Sequence, residues 1–448
     1  MFDAIISVFR MKDLRNRILF TLALLAVYRM GIFIPSPGVD RHAMSEFFSG
    51  TQGSLLGLYN MFSGGALERF SVFVLGIMPY ISASIIMQVG QVMFPFIERL
   101  RAQGQSGTKK INQYTRYLTI GIAIIQSFAI SITLEQMTTM SGQRVVLDDG
   151  WDFRLMTVIT MTAGSCFVMW LGEQITERGI GQGASLIITA GIIAGIPQGT
   201  RNLYQSMTLG QINLLEITIL LVFMSLVVGF IVWVERSHFQ VPVRYARRAM
   251  ANQALGGQSS HLPLKVNVSG VLPPIFASSL MFLPATIGQL FPNDLFAALS
   301  SAFIPGTWVY LVTYVVLIVV FAFFYTAISF NPQDVADNLR RQGGYVPGYR
   351  PGPQTQEYLD TVLTRLTAGG AVYLSAVCIL PEILANNYGM PFYFGGTGLL
   401  IIVGVVMQTV SQIEGHMLTS KYDGMSSPTS QNSKGRRQTF TGNKKNIS

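Results

Sequence analysis

Ser54 to Glu68, SLLGLYNMFSGGALE, is the stretch on which the fold turns. It is apolar enough to leave water, yet too short and too polar to cross hydrocarbon, which takes about twenty apolar residues in a helix. Ser63-Gly64-Gly65 breaks it in the middle. Irregular backbone finds no hydrogen-bond partners in lipid, so such a segment must lie inside protein or beside a water-filled cavity. It also runs without a long loop into an apolar stretch at 70–93. It therefore reads as a re-entrant segment, which implies an interior vestibule for it to enter.

Working outward, ten apolar runs read as membrane spans, at 18–34, 70–93, 117–134, 155–171, 184–197, 214–234, 268–290, 308–330, 369–385 and 398–417. Half of the 448 residues are hydrophobic and 12% are charged, where soluble proteins carry roughly 25%. The expectation is an all-α, multi-span membrane protein. The fifth run is short and carries Gly183, Gly191 and Gly195, as a span packed tightly among others does. Arg15 and Arg17 ahead of Ile18–Ile34 raise the question of a signal peptide. The run ends at the turn Pro35-Ser36-Pro37-Gly38, without a small-x-small cleavage site, so it reads as a retained first span. Before it, Phe2, Ile5, Ile6 and Phe9 share one helical face, which predicts a short surface helix within residues 1–17.

Basic residues orient the chain. With the N-terminus in the cytoplasm, all of the 31 Lys and Arg except Arg29, Arg41, Arg69, Arg144, Arg154 and Arg201 fall on cytoplasmic segments, so both termini are placed there. Two cytoplasmic loops are long. One, at 235–266, carries Arg236, Arg244, Arg247, Arg248 and Lys265; the other, at 331–367, carries Arg340, Arg341, Arg350 and Arg365. Structureless loops of that length are uncommon unless functional or disordered. The basic, polar tail at 421–448 reads as flexible.

The spans carry almost no ionisable residues: Arg29 lies near the outer end of the first, where it can snorkel, and Glu414 near the inner end of the tenth. An ion-coupled transporter keeps an Asp, Glu or His deep in the membrane. Here the deep polar residues are Ser82, Ser84, Gln88 and Gln126, which also read as ordinary helix–helix hydrogen-bonding groups. His42, His238, His261 and His416 show no metal-ligand spacing and no nucleophile–base pair is visible, so neither a metal nor a cofactor is expected and the chain does not read as an enzyme. Gly179-Ile180-Gly181-Gln182-Gly183 lacks the Lys-Ser/Thr of a phosphate loop and reads as a turn. Cys166 and Cys378 read as small buried hydrophobes. Ile77, Ile81 and Ile85, four apart, drift about 40° per step and form one stripe, the usual mark of plain packing.

Long stretches of the chain, in order, resemble the SecY family of protein-conducting channels. They are IPSPGVD (Ile34–Asp40), NMFSGGALERF (Asn60–Phe70), GIMPYISASIIMQ (Gly76–Gln88), INQYTRY (Ile111–Tyr117) and WLGEQITERGIGQG (Trp170–Gly183). Then follow HLPLKVNVSGVLPPIFASS (His261–Ser279), FFYTAISFNPQDVADNLRRQGG (Phe323–Gly344), PGYRPGPQT (Pro347–Thr355), YLDTVLTRLT (Tyr358–Thr367) and PFYFGGTGLLI (Pro391–Ile401). The resemblance implies ten transmembrane helices in two pseudo-symmetric five-helix halves, residues 18–197 and 198–420, around an hourglass pore with a re-entrant plug at about 54–68. It implies a channel that passes unfolded secretory proteins across the bacterial plasma membrane and releases membrane segments sideways into lipid.

By the same resemblance, Asn60, Met61, Phe62, Ser63, Gly64, Gly65, Ala66 and Leu67 fall in the plug. Ile77, Ile81, Ile85, Ile188, Ile275 and Ile401 fall on a hydrophobic pore ring, with Ala184 at one further ring position. Ser82, Gln88, Gln126, Asn267 and Leu283 fall at a lateral gate formed by spans 2, 3, 7 and 8. Arg244, Arg247, Arg248, Arg340, Arg341 and Arg350 fall on the surface for a SecA motor ATPase and for the ribosome and its RNA. Small SecE-type and SecG-type subunits, signal sequences, unfolded polypeptides and membrane lipids complete the implied partners. The alternative class is a secondary transporter for a small solute, which needs the buried midplane charge that the spans lack and has no use for two long basic loops.

Overall fold

A computed structural model describes residues 11–40, 42–44, 60, 63–136, 144–146, 149–210, 213–245, 259–290, 307–388 and 396–425. The expected surface helix over Phe2–Phe9, Ser54–Tyr59, Met61, Phe62, Arg247, Arg248 and the tail beyond 425 lie outside the described residues.

The helices are α1 (Lys12–Gly31), α2 (Met78–Met93), α3 (Pro95–Ala102), α4 (Gln105–Gln136), α5 (Trp151–Arg178), α6 (Gly183–Thr208) and α7 (Leu214–Arg236). After them come α8 (Leu272–Leu290), α9 (Trp308–Ser329), α10 (Pro332–Arg341), α11 (Pro353–Tyr388) and α12 (Gly396–Met425). Local sequence sets several of their starts. Asn213 and Glu216 form a capping box on α7, the Thr307 hydroxyl accepts from Tyr310 N at α9, and Asn331 caps α10 ahead of Pro332.

Setting aside the short α3 and α10, the described residues include a helix at each of the ten expected spans, but the second, expected from Phe70, starts only at Met78 because the chain before it runs through tight turns. Seven of these helices are long and apolar enough to cross a membrane, and α2 with α3, bent by 96° between them, makes an eighth. The remaining two are α1, which carries Lys12, Asp13, Arg15 and Arg17 in its first turns, and α8, apolar over Leu272–Met281. Three helices outrun their apolar runs by more than ten residues at one end: α4 starts at Gln105, α6 continues past Pro197 to Thr208, and α11 starts at Pro353. Hydropathy marks where a helix is dry, not where it ends, and polar residues such as those of INQYTRY extend a helix readily into water.

The packing repeats. In the first half α4 packs on α2 and α5, α5 on α6, and α1 on both α5 and α6. In the second half α9 packs on α8 and α11, α11 on α12, and α7 on α12. Phe230 of α7 meets Tyr373 of α11 edge to face, ring centroids 5.8 Å apart. Shifted by five spans, each of these contacts finds its counterpart. Because each half has an odd number of spans, the second is inverted in the membrane relative to the first. The halves meet where α8 packs on α2 and α4, and where α6 packs on α12.

The two long basic loops are not independent. Strands β1 (His238–Tyr245) and β2 (Ser259–Lys265) form an antiparallel hairpin, and β3 (Gly344–Tyr345), from the other loop, pairs with β1 through Arg244↔Tyr345. Val241, Leu264, Val346, Leu359 and Leu363 form a separate apolar core beneath this sheet. The all-helical expectation thus holds for the membrane part only. The missed signal was a period of two: Val241 and Val243 are buried, while Gln240, Pro242 and Arg244 are exposed.

Candidate functional site: a buried apolar cluster and the basic sheet

Ile77, Ile81, Ile85, Ile188, Ile275 and Ile401 all lie in one large buried apolar cluster, which also reaches Tyr28, Ile231, Tyr310 and Cys378, and none is more than 5% exposed. They come from the start of α2 and from α6, α8 and α12, and so from both halves. Ala184, at the first turn of α6, packs half-buried against the same cluster. Close backbone approach makes this convergence possible: a Cβ at Gly183 would strike the carbonyl oxygen of Gly172, so only glycine lets α6 start against α5 there.

Above α2 the chain from Ser63 to Ile77 has neither helix nor strand. It runs through successive tight turns, with Phe70 N bonded to Leu67 O, Val74 N to Ser71 O, and Gly76 N to Phe73 O. It is nonetheless interior: Ser63, Ala66, Leu67, Phe70, Ser71, Val74 and Leu75 are buried. Its polar groups find protein partners, as irregular backbone at membrane depth requires. Asn60 Oδ1 accepts from Glu68 N at 3.0 Å, and Asn60 O accepts from Gly65 N and the Ser63 hydroxyl. From outside the segment, the Tyr28 hydroxyl donates to Ser63 O, Arg29 to Gly64 O, and the Ser165 hydroxyl to Gly76 O. The expectation that Arg29 snorkels outward misses this inward bond, because Gly64 O, left without a helical partner by its φ of 71°, lies within the guanidinium's reach.

Along the seam between halves, Met78 Sδ of α2 lies 3.8 Å from Ser279 Oγ of α8. Ser82 is buried one turn further along α2, and Leu283 lies on α8 one turn past Ser279. The polar residues expected there do not bond to one another. Gln88 donates to Ser84 within its own helix, and Gln126 Oε1 is buried without a partner. Asn267 donates to Glu235 Oε1 at 2.7 Å and to Gly270 O. Glu235, at the end of α7, was not anticipated as a partner for Asn267: nothing local links residues 32 apart.

At the end of the bundle where Glu235 and Glu414 lie, a cavity of about 280 Å³ is lined by Gln182, Glu235, Asn267, Gln408 and Glu414. A second, of about 400 Å³, shares Gln182, Tyr325 and Gln408 with it. Outward from these stands the sheet. Arg244, Arg340, Arg341 and Arg350 are all exposed, and the pairing of β1 with β3 brings both loops onto one face. Arg350 is held at the start of α11, its N–H bonded to Gln354 Oε1 and its carbonyl accepting from Thr355.

The SecY family's sequence profile matches residues 71–410. The chain belongs to the SecY family. Relatives in that family include the protein translocase subunit SecY of Escherichia coli strain K12, 44% identical over 415 residues, 92% of this chain and 93% of that one. The SecY of Rickettsia typhi is 44% identical over 416 residues, 92% of this chain and 96% of that one. Among solved structures, a protein-conducting channel shares the fold with a TM-score of 0.64 at 15% identity, covering 92% of this chain and 94% of its own. Sec61 in the canine ribosome–channel complex from the endoplasmic reticulum shares it with a TM-score of 0.60 at 14% identity and the same coverage. The profile match runs from Ser71 through the sheet into α12; α1 and the chain up to Phe70 lie before it.

Proposed function

We propose that this chain is the channel subunit of a general protein translocase, multi-pass in a bacterial plasma membrane with both termini cytoplasmic. On this reading it conducts unfolded secretory proteins between its two halves and releases membrane segments through the seam of α2 and α4 against α8 and α9. The observation that carries it is the convergence of six isoleucines from both halves into one buried cluster. That cluster is flanked on one side by an interior, irregular segment and on the other by polar cavities.

The chemistry suits a polypeptide in transit. A narrow apolar constriction dewets when empty and so raises a barrier to ions. It offers no charge or hydrogen bond to hold a passing side chain. Asn60–Leu67 acts as a plug on the outer side. The arginines of the shared sheet attract acidic protein surfaces and the phosphates of ribosomal RNA through salt-screened contacts. SecA and the ribosome dock there, and SecE-type and SecG-type subunits brace the bundle in lipid. A secretory chain stalled part-way and carrying a photo-crosslinker tests this. Crosslinks to Ile81, Ile188 and Ile401 are expected. Crosslinks confined to lipid-facing residues such as Leu226 and Val316 would overturn the reading.

A further inference from the structure

On the reading that Asn60–Leu67 seals a channel, we propose that Tyr28 and Arg29 of α1 are a latch that holds the seal closed, gripping two consecutive carbonyls, Ser63 O and Gly64 O. The Tyr28 hydroxyl donates to Ser63 O at 3.2 Å and Arg29 Nη1 to Gly64 O at 2.7 Å. Both donors come from one helix turn, and both acceptors lie at the glycine break.

Three features make this a latch rather than general packing. The grip is on backbone, so it holds a position and not a side-chain identity. The carbonyls are presented by glycines in left-handed conformation, Gly64 at φ 71° and Gly65 at φ 83°. Gly64 also sits against α6, where an added Cβ would lie 2.9 Å from Gly191 Cα, so the segment is clamped between α1 and α6. The far end of the segment is under load. Phe70 adopts φ 42° while 1% exposed, a left-handed conformation that is strained for a non-glycine residue. Next to it, Arg69 stands over the Phe33 ring at 4.4 Å and Arg29 over the same ring at 5.7 Å, so two cations share one aromatic site. Strain at Phe70, and the like charge of Arg69 beside Arg29 itself, oppose the grip. Such a device opens when modest binding energy elsewhere tips it, and its strength sets how good a signal sequence must be to open the channel.

The test uses the assembled complex in membranes. Ala66, fully buried in the closed segment, is replaced by cysteine and labelled from outside with a membrane-impermeant maleimide. Arg29→Gln, which removes a charge-assisted bond, is expected to speed labelling about tenfold to a hundredfold, and Tyr28→Phe about fivefold. Both are expected to export proteins with defective signal sequences. Gly64→Ala, which unseats the same backbone by clash, should behave like Arg29→Gln. The control is Arg29→Gln in a chain lacking Asn60–Leu67. If that deletion leaks ions and Arg29→Gln adds nothing to the leak, the latch acts through the seal. If the deletion leaks but neither Arg29→Gln nor Tyr28→Phe changes labelling, the latch is wrong and the seal stands. If the deletion does not leak, the seal itself is wrong and the latch falls with it.

Discussion

The two halves repeat one set of helix contacts but insert different chain at the same point. Between its first and second spans the N-terminal half folds inward: Ser63 to Ile77 is irregular and largely buried, its polar groups taken by Tyr28, Arg29 and Ser165. Between its own first and second spans, α7 and α8, the C-terminal half builds a hairpin, β1 and β2, which pairs with itself, recruits β3 and exposes Arg244. Inversion of the second half puts the two insertions on opposite sides of the membrane. The difference follows from where backbone groups can find partners. An irregular segment depends on surrounding protein and so lies inside, whereas a hairpin satisfies much of its backbone across strands and can stand in water. One scaffold used twice thereby carries a buried insertion on one side and an exposed one on the other.

If that division is right, damage to the two insertions has opposite signatures. Arg350→Glu, on the basic sheet face, is expected to have the largest effect: motor-driven import of a preprotein into membrane vesicles falls by about a hundredfold or more. Resting conductance and the amount of folded chain stay unchanged, because Arg350 is exposed and only its backbone is bonded. Normal import by a stably inserted Arg350→Glu chain would remove the docking role. Deleting Asn60–Leu67 should do the reverse: import continues, while small ions leak and poor signal sequences are accepted. An unfolded product would mean that the inward insertion is core, and the contrast between the halves would be lost.

Ile401 tests the line where the halves meet. It is fully buried and shares its cluster with Ile77, Ile81, Ile85, Ile188 and Ile275. Ile401→Asn puts an amide at the constriction, which wets it. The expected result is a resting ion leak and relaxed signal selection, smaller than those from removing the whole segment. A desolvation cost of about 1–3 kcal/mol also lowers thermal stability. Loss of folded chain with neither leak nor relaxed selection would make Ile401 ordinary core.

Much of this was legible in the sequence. Apolar length alone located ten of the described helices, and the Ser-Gly-Gly break marked the inward chain, though that chain runs on to Ile77 through residues that read as the second span, because buried turns are as apolar as a helix. The stripe of Ile77, Ile81 and Ile85 was visible, but spacing on one helix does not distinguish a ring from a packing seam; Ile188, Ile275 and Ile401 lie up to 324 residues from Ile77 and join it only in the fold. The internal repeat was invisible because it lives in which helices touch and not in periodicity. Asn267 with Glu235, Arg29 with Gly64 O, and β1 with β3 were missed for the same reason: each joins residues far apart in the chain whose types alone prescribe no partner. The hairpin itself was within reach, through the two-residue alternation at Val241 and Val243.

The smallest expected effect concerns equivalent helix pairs that the two halves fasten differently. In the first half α4 and α5 are joined near both ends by ion pairs. Arg154 holds Glu135 with both Nε and Nη2, at 2.6–3.0 Å, and Arg116 meets Glu173 at 2.7 Å. In the second half the equivalent pair, α9 and α11, is joined by a buried hydroxyl bond from Thr367 to Thr326, 3.2 Å long. Charges at the membrane edge are partly wet, and salt screens them; a buried neutral bond is not screened. A double-mutant cycle with Arg154→Met and Glu135→Gln is expected to give a coupling of about 1–2 kcal/mol at low salt, since the pair is two-pronged but the arginine is 29% exposed. That coupling should shrink in 1 M salt, where the Debye length is about 3 Å. Thr367→Val should cost about 1 kcal/mol at either salt concentration. Thermal unfolding of the purified complex at the two salt concentrations reads both. A salt-independent coupling for Arg154 and Glu135 would mean that their bond is as dry as its hydroxyl counterpart, and that the two halves are fastened by one principle after all.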